Sequence, residues 1–99
     1  MNCDTSCTAN KLKLIAHPMR LKILCHLGTG ELTVQEIVNK AGSSQSNISQ
    51  HLGQMRKKGI LLSHRDANRV YYRISDPELI TIIEQIRDIY CGNTEKKKS

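Results

Sequence analysis

The chain has 99 residues, 15 of them lysine or arginine and 9 aspartate or glutamate, for a formal net charge of +6. That length allows one small domain with a modest core, which gains stability by pairing with a second copy. The charge favours a polyanionic partner. The most apolar stretch, residues 79–83, is five residues long with Thr81 inside it, far short of the ~20 needed to cross a bilayer.

The opening Met1-Asn2-Cys3-Asp4 lacks the charged-then-apolar order of a secretory leader. A cytoplasmic protein is therefore expected, in which Cys3, Cys7, Cys25 and Cys91 start as thiols rather than structural disulfides.

Residues 1–8 are polar and are expected to form a disordered N-terminal tail. From Ala9 the pattern is helical, with Leu12, Ile15 and Ala16 on one face. His17-Pro18 breaks it, because a residue before proline avoids helical dihedrals. Pro18 then suits the first turn of a second helix, which carries Leu21, Leu24 and Leu27 inward and ends at Gly28. Gly28-Thr29-Gly30 is a turn; no strand precedes it, as a phosphate-cradling loop would require.

Thr33, with Glu36 three residues later, has the spacing of a capping box that opens a third helix. Val34, Ile37 and Val38 face inward, and Ala41-Gly42 ends the helix. Ser43 or Ser44 caps a fourth helix running to Lys58 and stopped by Gly59. Its inward face is Ile48, Leu52 and Met55. Its outward face is Gln45, Ser46, Asn47, Ser49, Gln50 and Gln54, with hardly a charge before Arg56. An ordinary solvated face carries Glu and Lys. A neutral face of amides and hydroxyls suits base edges, where a carboxamide pairs bidentately with adenine.

Two strands are expected near residues 61–65 and 70–74, where Val70, Tyr72 and Ile74 alternate with Tyr71 and Arg73. Asp66-Ala67-Asn68 joins them as a tight hairpin, with Asn68 suited to positive φ. Asp76-Pro77 starts a last helix ending near Cys91. Its apolar residues Leu79, Ile80, Ile82, Ile83, Ile86, Ile89 and Tyr90 make a stripe wider than one small core can cover. The excess points to burial against a second copy.

The expected fold is mainly α with a small β-hairpin, in the order α-α-α-α-β-β-α, a winged helix-turn-helix. Its third and fourth helices form the helix-turn-helix pair, joined by residues 41–44. The folded unit spans 9–92, and 93–99 form a basic C-terminal tail containing Lys96, Lys97 and Lys98.

Three motifs carry a family resemblance. Ala16-His17-Pro18-Met19-Arg20-Leu21-Lys22-Ile23-Leu24, Ser44-Gln45-Ser46-Asn47-Ile48-Ser49-Gln50-His51-Leu52 and Arg69-Val70-Tyr71-Tyr72-Arg73-Ile74 resemble, in order, the second helix, recognition helix and second wing strand of the arsenic- and metal-responsive repressor family (ArsR/SmtB type). The match covers about residues 9–91. It implies a DNA-binding homodimer paired through the first and last helices.

The family's third-helix metal site uses two cysteines where Thr33 and Gln35 stand here. Its last-helix zinc site needs histidines, and residues 76–91 contain none. Neither metal site is expected, and no cofactor is implied.

Cys25, late in the second helix, and Cys91, at the end of the last, resemble the thiol pair of the family's persulfide- and redox-sensing branch (BigR, SqrR and HlyU type). In that branch the pair becomes bridged and DNA is released. Helix C-termini disfavour a thiolate, an effect that Arg87 and His26 would offset. Cys3 and Cys7, four apart, supply the alternative: a thiolate site for arsenite or cadmium.

His17, His26, His51 and His64 form no i, i+4 ligand pair. His51 is expected to pack beside the recognition helix or touch phosphate. Tyr71 and Tyr72 suit sheet packing. An enzyme such as a thiol oxidoreductase is not expected, because no CxxC precedes a helix. Double-stranded DNA with an inverted-repeat operator is the expected partner. Gln45, Ser46, Asn47 and Gln50 would contact bases, and Ser44, Ser49 and Arg69 phosphates.

Overall fold

A computed structural model of the chain describes residues 5–89; Cys3, Cys91 and the basic stretch 93–99 lie outside the described residues. Helix α1 spans Thr5–Ile15, so residues 5–8 are helical rather than part of a disordered tail. The apolar periodicity begins only at Leu12, and the helix enters the core at Ile15. No proline or glycine interrupts the polar turn before it, so the backbone ladder extends back to Thr5.

Helix α2 spans Pro18–Leu27. His17 is its N-cap, with Nδ1 accepting from the Met19 N–H, and Pro18 opens the first turn. Its buried residues are Ile23, Leu24 and Leu27. Leu21, expected inward, is instead exposed, as is Leu12 of α1. Both lie on the side that borders the last helix rather than the core.

Thr33 caps α3 (Val34–Ala41) through the complete capping box: its hydroxyl accepts from the Glu36 N–H, and the Glu36 carboxylate accepts from the Thr33 N–H. Gly42 ends α3 in the left-handed region at φ 75°, a conformation that costs glycine nothing. Ser44, not Ser43, is the N-cap of α4 (Gln45–Lys57), with Oγ accepting from the Asn47 N–H at 3.1 Å. Ile48, Leu52 and Met55 of α4 are fully buried, each at 0 % exposure.

The sheet holds one strand more than the hairpin. β1 (Leu32–Thr33), β2 (Leu61–Asp66) and β3 (Arg69–Ile74) form an antiparallel sheet in the order β1-β3-β2. Leu32 pairs with Tyr72 and Thr33 with Tyr71. A two-residue strand has no period to detect, and only β3 beside it makes it one. In the hairpin, Asp66 pairs with Arg69, leaving Ala67-Asn68 as the turn. The positive φ falls on Ala67 (58°), not on Asn68. Positive φ at the first central residue alone is the pattern of a II′ turn, whose twist suits a hairpin.

Helix α5 spans Pro77–Arg87, with Asp76 as N-cap. Ile80 and Ile83 enter the core, while Ile82, Ile86 and Ile89 stay exposed. The core joins Ile15, Ile23, Leu24, Leu27, Ile37, Ile48, Leu52, Met55, Leu61 and Ile74 with those two isoleucines. Among the described residues, five helices and three strands form a winged helix-turn-helix, with α3 and α4 as the pair and β2–β3 as the wing. No described helix is long and apolar enough to cross a membrane.

Candidate nucleic-acid interface and thiol cleft

The buried spine of α4 dictates what its opposite side presents. With Ile48, Leu52 and Met55 in the core, Gln45, Ser46, Ser49 and Gln50 stand exposed on the outer side. Ser44 is exposed at the helix start, with its Oγ used as the cap. Asn47 differs from its neighbours. It is half-buried, and its Nδ2 donates to Ser43 Oγ at 2.8 Å, which leaves its carbonyl oxygen for another partner.

Arg69, exposed at the start of β3, reaches the same surface. It borders a cleft of about 430 Å³ together with Thr33, Gln35, Glu36 and Gln45. The tip of the wing and the N-terminus of α4 therefore flank one depression, with the first turn of α3 as its floor. A second depression on α4 itself joins Ser49, Gln50 and Gln54 to Arg56 and Lys57, bringing two cations beside the amides. An amide centre with arginine and lysine at its margins matches the division between base edges and phosphates in a duplex.

Elsewhere on the wing, His64 pairs with Glu31 at 3.0 Å and stacks on Tyr71, with ring centroids 5.4 Å apart. Tyr72 packs against the core. Both tyrosines thus serve the sheet.

Behind α4 lies a network whose partners are far apart in the sequence. Arg20 of α2 donates from Nε to His51 Nδ1 (3.0 Å), from Nη2 to Gln54 Oε1 (3.2 Å) and from Nη1 to the Leu14 carbonyl (2.9 Å). The His51 ring lies 4.7 Å from that of His17. Burial, then the Arg20 guanidinium, then His17 hold the His51 imidazole below its ordinary value. Lys11 of α1 donates to the Lys58 carbonyl at 3.1 Å, satisfying the C-terminal end of α4. Arg20 and Lys11 carry no sign of these roles in the sequence, because their partners lie 31 to 47 positions away.

The two described thiols line other clefts. Cys25 is exposed rather than in the core. It lines an almost wholly apolar cleft of about 320 Å³ with Leu12, Leu21, Ile83, Ile86 and Arg87. Arg87 Nη1 donates to Cys25 Sγ at 3.7 Å, so the last turn of α5 lies against the thiol of α2. Cys91, the expected partner, is outside the described residues, four positions after Arg87 in the chain. Cys7 is exposed on α1 and borders a separate cleft with Lys11, Ser75, Asp76 and Glu78; Cys3 is outside the described residues.

Comparison with known proteins supplies relatives for this arrangement. Residues 17–63 match the family described as bacterial regulatory protein, arsR family. The biofilm growth-associated repressor of Xylella fastidiosa is 33 % identical over 91 residues, which cover 92 % of this chain and 78 % of that protein. The structure of HlyU from Vibrio cholerae superposes with a TM-score of 0.81 at 35 % identity, covering 93 % of this chain and all of HlyU. The homodimeric winged helix-turn-helix DNA-binding domain of Mb0332 from Mycobacterium bovis is similar at a TM-score of 0.77 and 25 % identity, covering 89 % of this chain and 86 % of that fragment.

Proposed function

The chain belongs to the bacterial arsR family of regulatory proteins, and from that premise we propose that it is a homodimeric transcriptional repressor whose α4 reads the major groove in each half of an inverted repeat. The observation that carries this reading is the division of α4: a fully buried aliphatic spine beneath an exposed, uncharged row of Gln45, Ser46, Ser49 and Gln50. In this assignment Gln45, Ser46, Asn47 and Gln50 contact bases. Ser44, Ser49 and Arg69 hold the phosphates. Asn47 offers its carbonyl oxygen and one remaining N–H, because the other N–H of its NH2 is donated to Ser43.

Two-fold symmetry supplies the inverted repeat. The exposed Leu12, Leu21, Ile82, Ile86 and Ile89 are the surface a partner would cover. The homodimeric Mb0332 domain supports the same assembly. The direct experiment is selection from a randomised duplex pool. Enrichment of an inverted repeat with half-site centres about one helical turn apart agrees with the reading; a single unsymmetrical site, or no enrichment, contradicts it.

The signal is assigned to Cys25 and Cys91. Their modification by a reactive sulfur species or an oxidant would release the DNA. Support comes from the exposure of Cys25, from the Arg87 contact to its sulfur, and from the position of Arg87 four residues before Cys91. A new link between Cys25 of α2 and Cys91, four positions beyond the end of α5 in sequence, would strain the elements that orient both recognition helices, and a dimer tolerates little change in their ~34 Å spacing.

Mass spectrometry and DNA release are measured with persulfide, peroxide, arsenite and cadmium. Persulfide is expected to release the wild type and to leave Cys25→Ser and Cys91→Ser bound. Release of Cys25→Ser by persulfide refutes the assignment. Release by arsenite that is lost only in Cys3→Ser/Cys7→Ser moves the sensing function to the N-terminal thiols.

A further inference from the structure

The solvent edge of α4 is tied to two other helices through one guanidinium. Arg20 donates to the Leu14 carbonyl near the end of α1 and to His51 and Gln54 one turn apart on α4. A planar fork with fixed donor directions sets the mutual orientation of its three acceptors, which a lysine ammonium cannot do. The second imidazole is also committed: His17 Nδ1 accepts from the Met19 N–H at 3.1 Å, and its ring packs on His51. Both rings therefore use Nδ1 as an acceptor, and an accepting nitrogen carries no proton. The charged and titratable groups that act on His51 are Arg20 of α2 and His17 of the α1–α2 link.

We propose that Arg20 is a positioning residue for the DNA-reading helix, and that protonation of His51 opens this clamp and weakens DNA binding. The inference rests on α4 being the reader of the duplex. An imidazolium has N–H on both nitrogens. Its Nδ1–H would then face Arg20 Nε–H across 3.0 Å, donor against donor and cation against cation. The guanidinium must move, and the Gln54 and Leu14 contacts it holds are disturbed with it. Gln54 adjoins Ser49 and Gln50 in the same surface depression, so the disturbance reaches the DNA-facing amides. The lowered His51 value keeps the clamp closed at neutral pH and puts its opening below about pH 6.5.

The test uses fluorescence anisotropy with a duplex selected from a randomised pool by the wild-type protein at about pH 7.5. Wild-type affinity is expected to fall severalfold between about pH 7.5 and about pH 5.5, as a growing share of the protein has its clamp open. His51→Asn keeps an acceptor near the Nδ1 position and cannot become charged. It should bind like the wild type at the higher pH, with a flat profile. Arg20→Lys keeps the charge without the fork, so it should bind roughly tenfold more weakly at the higher pH and also lose the pH dependence.

Hydrogen exchange of the α4 amides, corrected for intrinsic rates, reads the clamp without DNA. Opening should increase on acidification in the wild type and not in His51→Asn. A flat wild-type profile in both measurements overturns the proposal, as does a His51→Asn profile as steep as the wild type. Affinity that rises on acidification would make His51 a phosphate contact and overturns it too. If the wild type binds no duplex at either pH, the reading of α4 as a DNA helix fails, and the exchange experiment decides the clamp alone.

Discussion

At the scale of single residues, the outer side of α4 separates side chains that look alike in sequence. Gln45 and Gln50 are exposed, whereas Asn47 is half-buried with one N–H given to Ser43, and Gln54 accepts from Arg20. Base reading should therefore concentrate in Gln45 and Gln50. Gln45→Ala is expected to cost ~1–3 kcal/mol at one base position and to relax preference there. Arg69→Ala should instead weaken all sequences alike and lower the salt slope by about 1. Anisotropy titrations over a set of point-changed duplexes and several salt concentrations distinguish the two. The row of neutral amides was legible in the sequence because helical period alone puts those residues opposite Ile48, Leu52 and Met55. The commitments of Asn47 and Gln54 were not, because each depends on the exact reach of a neighbouring side chain.

At the scale of elements, local chemistry and tertiary pairing contribute separately. The cap of α3 followed from Thr33 and Glu36, and that of α4 was narrowed to Ser43 or Ser44, because a cap is a contact across three residues; the structure selects Ser44. Thr33→Ala removes the capping-box acceptor and is expected to destabilise the domain by about 0.5–2 kcal/mol, measured by urea unfolding. The wing turn behaved differently. Asn68 is the residue suited to positive φ, yet Ala67 takes it at 58° because the register of β2 against β3 leaves that residue at the first turn position. Ala67→Gly removes a left-handed strain of about 1–2 kcal/mol against about 0.5–1 kcal/mol of added freedom in the unfolded chain, so it should leave the domain more stable by about 0.5–1 kcal/mol. An unchanged or lower urea midpoint would contradict the turn geometry.

At the scale of the whole molecule, the domain leaves two things unfinished. The first is its apolar side. Ile82 and Ile86 are 49 % and 46 % exposed, beside Leu12 at 51 %. Ile82→Glu/Ile86→Glu is expected to yield monomers in sedimentation velocity and to reduce operator affinity by at least roughly tenfold, since two linked half-site contacts become independent. The second is the half-buried acceptor at His51. Its value is lowered in the folded state, so the unfolded chain takes up the proton first as pH falls. The associated stability is fully present above about pH 6.5 and is lost as pH falls from there toward the folded value. Melting temperature should therefore decline over that window, and His51→Asn should flatten the decline.

Sequence alone determined the number and order of the helices, the capping box of α3, the aliphatic spine of α4 and its uncharged outer row. Each of these is encoded within one or two helical turns, where backbone period and side-chain reach are sufficient. The excess of apolar residues on the last helix was equally plain, because it is a count along one element. Only the tertiary structure decided that Cys25 faces an apolar cleft beside Arg87, that Leu32 and Thr33 form a strand, and that Arg20 grips His51 and Gln54. Those contacts join residues tens of positions apart, and their existence depends on how the helices and the wing pack, which no local pattern specifies.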